Sequence, residues 1–233
     1  LRGIMRKFDT KVQHLKYKVL REVARFAWKG ELLDNIVEIP KIIISGETPT
    51  SRCCVYKERA IVQERVKMAM GGDRTNPNVI EVIEIACDEC PSAGYVVTES
   101  CRGCLAHRCE DVCPKGAITH DEEHHAVIDK SKCINCGLCA KACPYNAIVH
   151  LQRPCQAACG MDAIGSDEQG RAKINYDKCV SCGMCLVNCP FGAIADKSQI
   201  FQLITAMKRH EEVIACVAPA FVGQFGKDAT PAK

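Results

Sequence analysis

The apolar positions of the first thirty residues recur at steps of three or four along the chain. They are Ile4, Phe8, Val12, Leu15, Val19, Val23 and Phe26. This spacing places them on one face of an amphipathic helix. Gly30 is expected to end the helix, because glycine readily takes the left-handed conformation found just after a helix.

A second helix is predicted to begin at Ser51 as its N-cap and to run to about Met70, where two glycines follow. Cys53 and Cys54 are expected in its first turn. A third helix is predicted over 198–210. Two apolar runs favour strands instead: a short one at 42–44, and a buried one at 213–217 whose five residues carry no charge.

Between residues 86 and 196 the pattern changes to short segments punctuated by Cys, Gly and Pro, and this region contains an internal duplication. The segment from Cys113 to Cys133 matches that from Cys159 to Cys179 in length and in several residue types. The motif that follows, Cys-x2-Cys-x2-Cys-x3-Cys-Pro, then occurs twice, over 133–144 and over 179–190. Two ferredoxin-like units in tandem are the economical interpretation.

This cysteine spacing is typical of 4Fe–4S sites. Three cysteines at x2 spacing wrap three corners of a cubane cluster, and the fourth cysteine, before Pro, reaches the other cluster of a two-cluster ferredoxin. Gly137 and Gly183 let the loop approach the cluster closely. Zinc sites instead favour separated Cys-x2-Cys pairs, so the motifs favour clusters over zinc.

A further motif over 101–114 has four residues instead of two between its second and third cysteines, yet it also ends in Cys-Pro. His107 lies in this longer loop. It is interpreted as a solvated loop histidine, with a ligand or a redox-tuning role as the alternative.

The exchange of fourth ligands between motifs predicts three complete clusters. The first takes Cys101, Cys104, Cys109 and Cys143. The second takes Cys113, Cys133, Cys136 and Cys139. The third takes Cys159, Cys179, Cys182 and Cys185.

A fourth cluster is a weaker prediction. Cys155 and Cys189 are in place, but the duplicated positions of their two partners are Ala147 and His150. Cys87 and Cys90 form the unused Cys-x2-Cys pair, so we expect the sulfurs of Cys87, Cys90, Cys155 and Cys189 to converge. The alternative is that some of these four bind zinc or nothing.

Composition and charge exclude several other classes of protein. The 233 residues include 19 cysteines and no signal-peptide pattern, which favours metal sites in a reducing cytoplasm over disulfides. No apolar run is long enough to span a membrane. Residues 1–30 carry a charge of +7, but no aromatic residues interleave the charges as a nucleic-acid platform would require. Cys53, Cys54 and Cys216 are expected to be buried structural thiols.

Two resemblances arise at these residues. The x4 motif followed by a regular one is similar to iron–sulfur subunits of molybdopterin oxidoreductases. With the flanks included, at 52–60 (Arg-Cys-Cys-Val-Tyr-Lys-Glu-Arg-Ala), 217–220 (Val-Ala-Pro-Ala) and 224–226 (Gln-Phe-Gly), the chain resembles the N-terminal part of monomeric iron-only (FeFe) hydrogenases of anaerobes. That resemblance implies a catalytic domain whose di-iron ligands come later than these motifs, and ferredoxin as the soluble electron partner.

The sequence therefore predicts an α+β fold in three parts: a helical region over 1–85, a multi-cluster 4Fe–4S region over 86–196, and the start of a hydrogenase catalytic domain over 197–233. Leu1 and the helix-start pattern at 230–233 lead us to expect a piece of a longer protein. The expected function is electron relay to or from a hydrogen-activating site, with no catalytic residue in this chain. An independent electron-transfer subunit of another oxidoreductase and a zinc-stabilised interaction module are the alternatives.

Overall fold

The computed structural model describes residue 8 and residues 10–91 and 93–218. Five helices form a helical core: α1 (Lys11–Lys29), α2 (Leu32–Asn35), α3 (Ile39–Ile43), α4 (Val55–Ala69) and, from the far end of the described chain, α9 (Ile200–Lys208). Helix α1 packs against α4 and α9. The core that they share contains Val23, Val66 and Ile204.

The ends of α1 follow from its sequence. The Thr10 hydroxyl accepts a hydrogen bond from the Gln13 amide at 3.2 Å, which satisfies one of the free donors of the first turn. Gly30 closes the helix at φ +86°, with its N–H donating to the carbonyls of Phe26 and Ala27. The predicted helix end at Gly30 is confirmed, and the predicted positions before residue 8 lie outside the described residues.

The strand predicted at 42–44 is wrong, because residues 39–43 form α3. Pro40 stands at the first turn of this helix, where its fixed φ favours helical geometry. Burial of Ile39 and Pro40 against the helical core then outweighs the β-propensity of the three isoleucines.

The start of α4 also differs from the prediction. Cys54, not Ser51, is the N-cap, and its sulfur accepts the Lys57 amide at 3.4 Å. Both the amide and the hydroxyl of Ser51 instead donate to Glu58 Oε1, as do those of Thr50. The carboxylate of Glu58 therefore holds the preceding loop against the helix.

The strand predicted at 213–217 does not form. Residues 211–218 have no regular structure, and Ile214 is 81% exposed. No strand in the described part of the chain pairs with this segment, and a strand is stable only when its backbone groups are paired. Cys216 is accordingly exposed, not buried as predicted.

The cysteine-rich region contains four two-stranded antiparallel sheets. The sheet β3 (Ile118–His120) with β4 (Ala126–Ile128) and the sheet β6 (Ile164–Ser166) with β7 (Ala172–Ile174) are hairpins. The other two join distant segments: β1 (Ile80–Val82) pairs with β8 (Ile194–Asp196), and β2 (Gly94–Val97) pairs with β5 (Ile148–Leu151). Lys16 and Asp196, 2.5 Å apart, connect α1 to β8.

These pairings make one unit nested inside the other. We call residues 94–151 the inner unit, bounded by β2 and β5, and residues 80–90 with 154–196 the outer unit, bounded by β1 and β8. The tandem arrangement predicted from sequence therefore needs correction: the outer unit begins before the inner unit and resumes after it. Short helices α5 (Arg108–Asp111) and α6 (Leu138–Ala142) in the inner unit correspond to α7 (Pro154–Ala157) and α8 (Met184–Asn188) in the outer unit.

Candidate metal centres

Four groups of cysteines can be recognised from the contacts among their sulfurs. In the first group, burial raises the pKa of the Cys109 thiol, and the nearby sulfurs of Cys104 and Cys143 also raise it. Cys101, Cys109 and Cys143 pack on the same small core of the inner unit. Cys143 belongs to the next motif along the chain, so the structure places it beside the group that the ligand exchange predicted.

The second group lies on the other side of α5. Cys113, Cys133, Cys136 and Cys139 line one cavity, together with Tyr95 and Gly137. Burial raises the pKa of Cys139, and the sulfurs of Cys133 and Cys136 add to the rise. Gly137 has φ +77°, and a Cβ there would lie 2.3 Å from the Tyr95 hydroxyl, so glycine is required at this close approach.

The third group repeats this arrangement in the outer unit. Cys159, Cys179, Cys182 and Cys185 line one cavity. Burial raises the pKa of Cys185, to which the sulfurs of Cys179 and Cys159 also contribute.

The fourth group unites the four cysteines whose convergence was the weakest prediction. Burial raises the pKa of Cys155 to about 11, and the sulfurs of Cys189, Cys87 and Cys90 contribute to this rise. Burial likewise raises the pKa of Cys90, with Cys189 and Cys87 as further causes. Cys87 and Cys90 thus lie beside Cys155 and Cys189, as expected, although about a hundred residues separate Cys90 from Cys189.

The nested topology explains how Cys87 and Cys90 reach the fourth group. Strand β1 carries them into the outer unit by pairing with β8, just after Cys189. The Ala172 amide at the start of β7 donates to Cys87 Sγ at 3.2 Å. In the inner unit the equivalent amide, Ala126 at the start of β4, donates to Cys101 Sγ at 3.5 Å. Cys87 therefore takes the place in the outer unit that Cys101 takes in the inner one.

Backbone amides also point at the last cysteine of each motif. In all four cases the donor is an alanine N–H four residues later, at 3.3–3.4 Å, and the cysteines are Cys113, Cys143, Cys159 and Cys189. For Cys113 this amide is the largest cause of a lowered pKa. An N–H donor stabilises the thiolate over the thiol, which is the form that binds metal.

This donor set fits an iron–sulfur cluster at each group. Four thiols this close raise one another's pKa, because neighbouring thiolates repel, and a bound metal centre removes that repulsion. Each group offers four sulfurs, and amides are aimed at sulfur as in sites that hold an anionic cluster. When bound, such a cluster supplies one-electron redox chemistry. The protein contributes the thiolates, the amide donors and the surrounding charge.

Two buried arginines lie near the fourth group, and the sequence interpretation missed both. Arg65 on α4 donates to the Gly192 carbonyl and interacts with Cys189. Arg153 is 1% exposed and acts on both Cys155 and Cys90. Its position two residues before Cys155, where the inner unit has His107 before Cys109, was the available signal.

The remaining cysteines lie elsewhere. Cys53 is exposed and Cys54 is half-buried, so their predicted burial is wrong. Their sulfurs are 3.9 Å apart, and the hydrogen bond from the Lys57 amide is the main cause that lowers the pKa of Cys54. Since Cys54 caps α4, its half-exposed position follows from its capping role.

No helix of the described residues combines the length and the hydrophobicity that crossing a membrane requires.

Comparisons with known proteins bear on the chemistry of these groups. Residues 100–147 match the 4Fe-4S dicluster domain family. Residues 149–200 match the LdpA Fe-S cluster-binding domain family. Together the two matches contain fourteen of the sixteen grouped cysteines and leave out Cys87 and Cys90.

Individual relatives agree. The chain is 45% identical over 56 residues to a 7Fe ferredoxin of Hydrogenibacillus schlegelii, which covers 24% of this chain and 70% of that protein. It is 44% identical over 55 residues to a probable iron–sulfur subunit of the Frd operon of Proteus vulgaris, covering 22% of this chain and 34% of the relative. It is 42% identical over 53 residues to one chain of the anaerobic dimethyl sulfoxide reductase of Escherichia coli (strain K12), covering 23% and 26%.

The match thus spans about a third of the Frd-operon protein and about a quarter of the reductase chain. It spans most of the bacterial ferredoxin, and the nested units supply the cysteine groups that a ferredoxin uses. The chain belongs to the ferredoxin family and is a 4Fe–4S electron-transfer module.

Proposed function

We propose that this chain holds four 4Fe–4S clusters, one in each cysteine group, and relays electrons through them between a soluble carrier and a catalytic site. The convergence of Cys87, Cys90, Cys155 and Cys189 is the observation that carries the count of four. Within each unit, neighbouring groups share one short helix region: Cys109 and Cys113 flank α5, as Cys155 and Cys159 do α7. This keeps successive clusters close, as electron relay requires.

For the catalytic site, we propose the hydrogen-activating domain of an iron-only hydrogenase, with ferredoxin as the soluble partner in an anaerobic cytoplasm. The support is the sequence resemblance at 52–60 and 217–220. The first of these segments contacts the fourth group's loop: Arg52 donates to the Ala86 carbonyl at 3.1 Å, and Lys57 pairs with Asp88 between Cys87 and Cys90. In the second segment, residues 219–220 lie outside the described residues. The division at residues 85 and 197 stays a prediction.

A second candidate is an iron–sulfur subunit that serves another oxidoreductase. It is favoured by the relatives named for an Frd operon and for dimethyl sulfoxide reductase. Dithionite-reduced protein should be reoxidised rapidly by an isolated FeFe-hydrogenase catalytic domain and slowly by the catalytic part of a molybdenum reductase, as followed by stopped-flow absorbance. The reverse order would favour the second candidate. The chain alone, with its clusters, should neither evolve nor oxidise hydrogen.

Metal analysis tests the four clusters and also the zinc alternative. After anaerobic reconstitution we expect about sixteen iron atoms and as many sulfides per chain, four per cluster. Fewer than about eight irons with stoichiometric zinc would contradict the cluster assignment.

A paired substitution tests the fourth cluster. Cys87→Ser with Cys90→Ser should lower the iron content by about four atoms per chain. The matched control is Cys53→Ser with Cys54→Ser, which changes a neighbouring cysteine pair outside the four groups, and serine keeps the cap of α4. Iron content near twelve in both the parent and the Cys87/Cys90 variant would limit the chain to three clusters.

A further inference from the structure

A cluster of nitrogen and oxygen ligands lies outside the sixteen grouped cysteines. His107 Nδ1 and His120 Nδ1 are each 3.3 Å from the same atom, Oε2 of Glu110. The two imidazole rings are stacked, with centroids 3.8 Å apart and planes at 19°. One ligand atom from each of the three side chains lies within 4.8 Å of the others. His120 is largely buried, whereas Glu110 is half-exposed, which leaves a path from solvent.

These distances suit a small cation better than direct hydrogen bonds. The N–H···O hydrogen bonds of proteins usually measure about 2.7–3.2 Å, so both contacts are slightly long. Two ligands bound tetrahedrally to zinc at about 2.05 Å lie about 3.3 Å apart, which is the separation seen here. Two histidines and one glutamate are also a known zinc donor set, and it leaves a fourth position for water.

The outer unit shows what occupies the equivalent place. In the 46-residue register that relates Cys113 to Cys159, His107 corresponds to Arg153 and His120 to Ser166. Arg153 and Ser166 are in contact: the guanidinium donates to Ser166 Oγ at 2.7 Å and to the Gly170 carbonyl at 2.7 Å. A cationic group therefore fills this place in the outer unit, where it is buried beside the fourth cysteine group.

The inner unit lacks a guanidinium at this place and has three metal ligands instead. We propose that His107, Glu110 and His120 bind one divalent transition-metal ion of the zinc class, with water completing the coordination. The ion links α5, which carries Cys109 and Glu110, to strand β3. It supplies beside the first cysteine group the positive charge that Arg153 supplies beside the fourth. The site uses no cysteine and is independent of the cluster count.

Zinc binding to the cluster-loaded protein tests this proposal. The anaerobic protein, with iron and sulfide already assayed, is dialysed against buffered free Zn²⁺ and its zinc is counted. We expect one zinc per chain, and a loss of affinity of about tenfold or more in His107→Gln, Glu110→Gln and His120→Gln. The matched control is His124→Gln with His125→Gln, two exposed histidines of the β3–β4 hairpin, which should keep the zinc.

X-ray absorption at the zinc edge separates this site from zinc that has replaced a cluster. Zinc in the proposed site has nitrogen and oxygen neighbours at about 2.0–2.2 Å, whereas zinc on cysteines has sulfur at about 2.3 Å. No bound zinc, zinc bound through sulfur, or zinc retained by all three single variants would overturn the proposal. Iron content unchanged in the variants shows that the loss is local.

Discussion

Replacing Arg153 by methionine should lower the reduction potential of the cluster that we assign to the fourth group. The guanidinium is 1% exposed, and it favours the thiolate form of Cys155 and of Cys90. Reduction adds one negative charge to a cluster, so a nearby cation stabilises the reduced state. Removing the cation removes that stabilisation, which makes reduction harder.

The size of the effect follows from Coulomb's law. For a separation of about 8 Å and an effective dielectric constant of about 20, the interaction is about 2 kcal/mol. For a one-electron couple this corresponds to a shift of roughly 90 mV to more negative potential. Only one of the clusters should shift this much, because the other groups lie farther from Arg153.

The substitution also removes hydrogen bonds. Arg153 donates to the carbonyls of Gly165 and Gly170 and to the Ser166 hydroxyl. Each buried acceptor left without a donor costs about 1–3 kcal/mol, so reduced stability is expected as well. Arg153→Lys separates the two effects. It keeps the positive charge but cannot reproduce the planar, multiple hydrogen bonding of arginine.

The assay is an anaerobic redox titration followed by electron paramagnetic resonance, with Cys87→Ser used to identify the signal of the fourth cluster. The methionine variant should show the shift, whereas the lysine variant should keep most of the parent potential despite lower stability. Equal shifts in both variants would show that packing, not charge, sets the potential. An unchanged potential in the methionine variant would place the fourth cluster away from Arg153.

Two further predictions follow from other contacts. Cys143→Ser should damage the cluster of Cys109 and leave that of Cys139 intact, because the Cys143 sulfur lies beside Cys109; spectroscopic loss of the Cys139 cluster instead would show that ligands do not cross between motifs. Glu58→Gln should lower the free energy of unfolding by about 1–2 kcal/mol at pH 7, because the carboxylate accepts four hydrogen bonds from Thr50 and Ser51. Burial raises the pKa of Glu58, but these hydrogen bonds outweigh it and lower the pKa below 4.5. The difference between parent and variant in chemical denaturation should therefore be full above pH 4.5 and shrink as pH falls through the lowered pKa, and a difference that stays constant would contradict the role of the charged form.

Short-range spacing determined much of the site. Within one motif the cysteines are two to four residues apart, so the loop itself brings them together wherever the motif lies in the fold. The exchange of Cys113 and Cys143 was also predictable, since it follows from the ferredoxin pattern. Helix α1 and its end at Gly30 were predictable for the same local reason, because apolar periodicity and a left-handed glycine act within a few residues.

The tertiary structure decided what depends on distant segments. Which strand pairs with β1 is not written in its three residues, yet that pairing places Cys87 beside Ala172. The apolar run at 213–217 has the composition of a strand, but no described segment pairs with it, so it stays irregular.

The charges around the cysteine groups also depend on the fold. The sequence shows Arg153 two residues before Cys155, but not that carbonyls and a hydroxyl from β6 and the following turn would surround its guanidinium. Likewise, His120 meets His107 only because β3 folds back against α5. Motif spacing is a local property of the chain, whereas the electrostatic environment of a site sums contributions from every segment that packs around it.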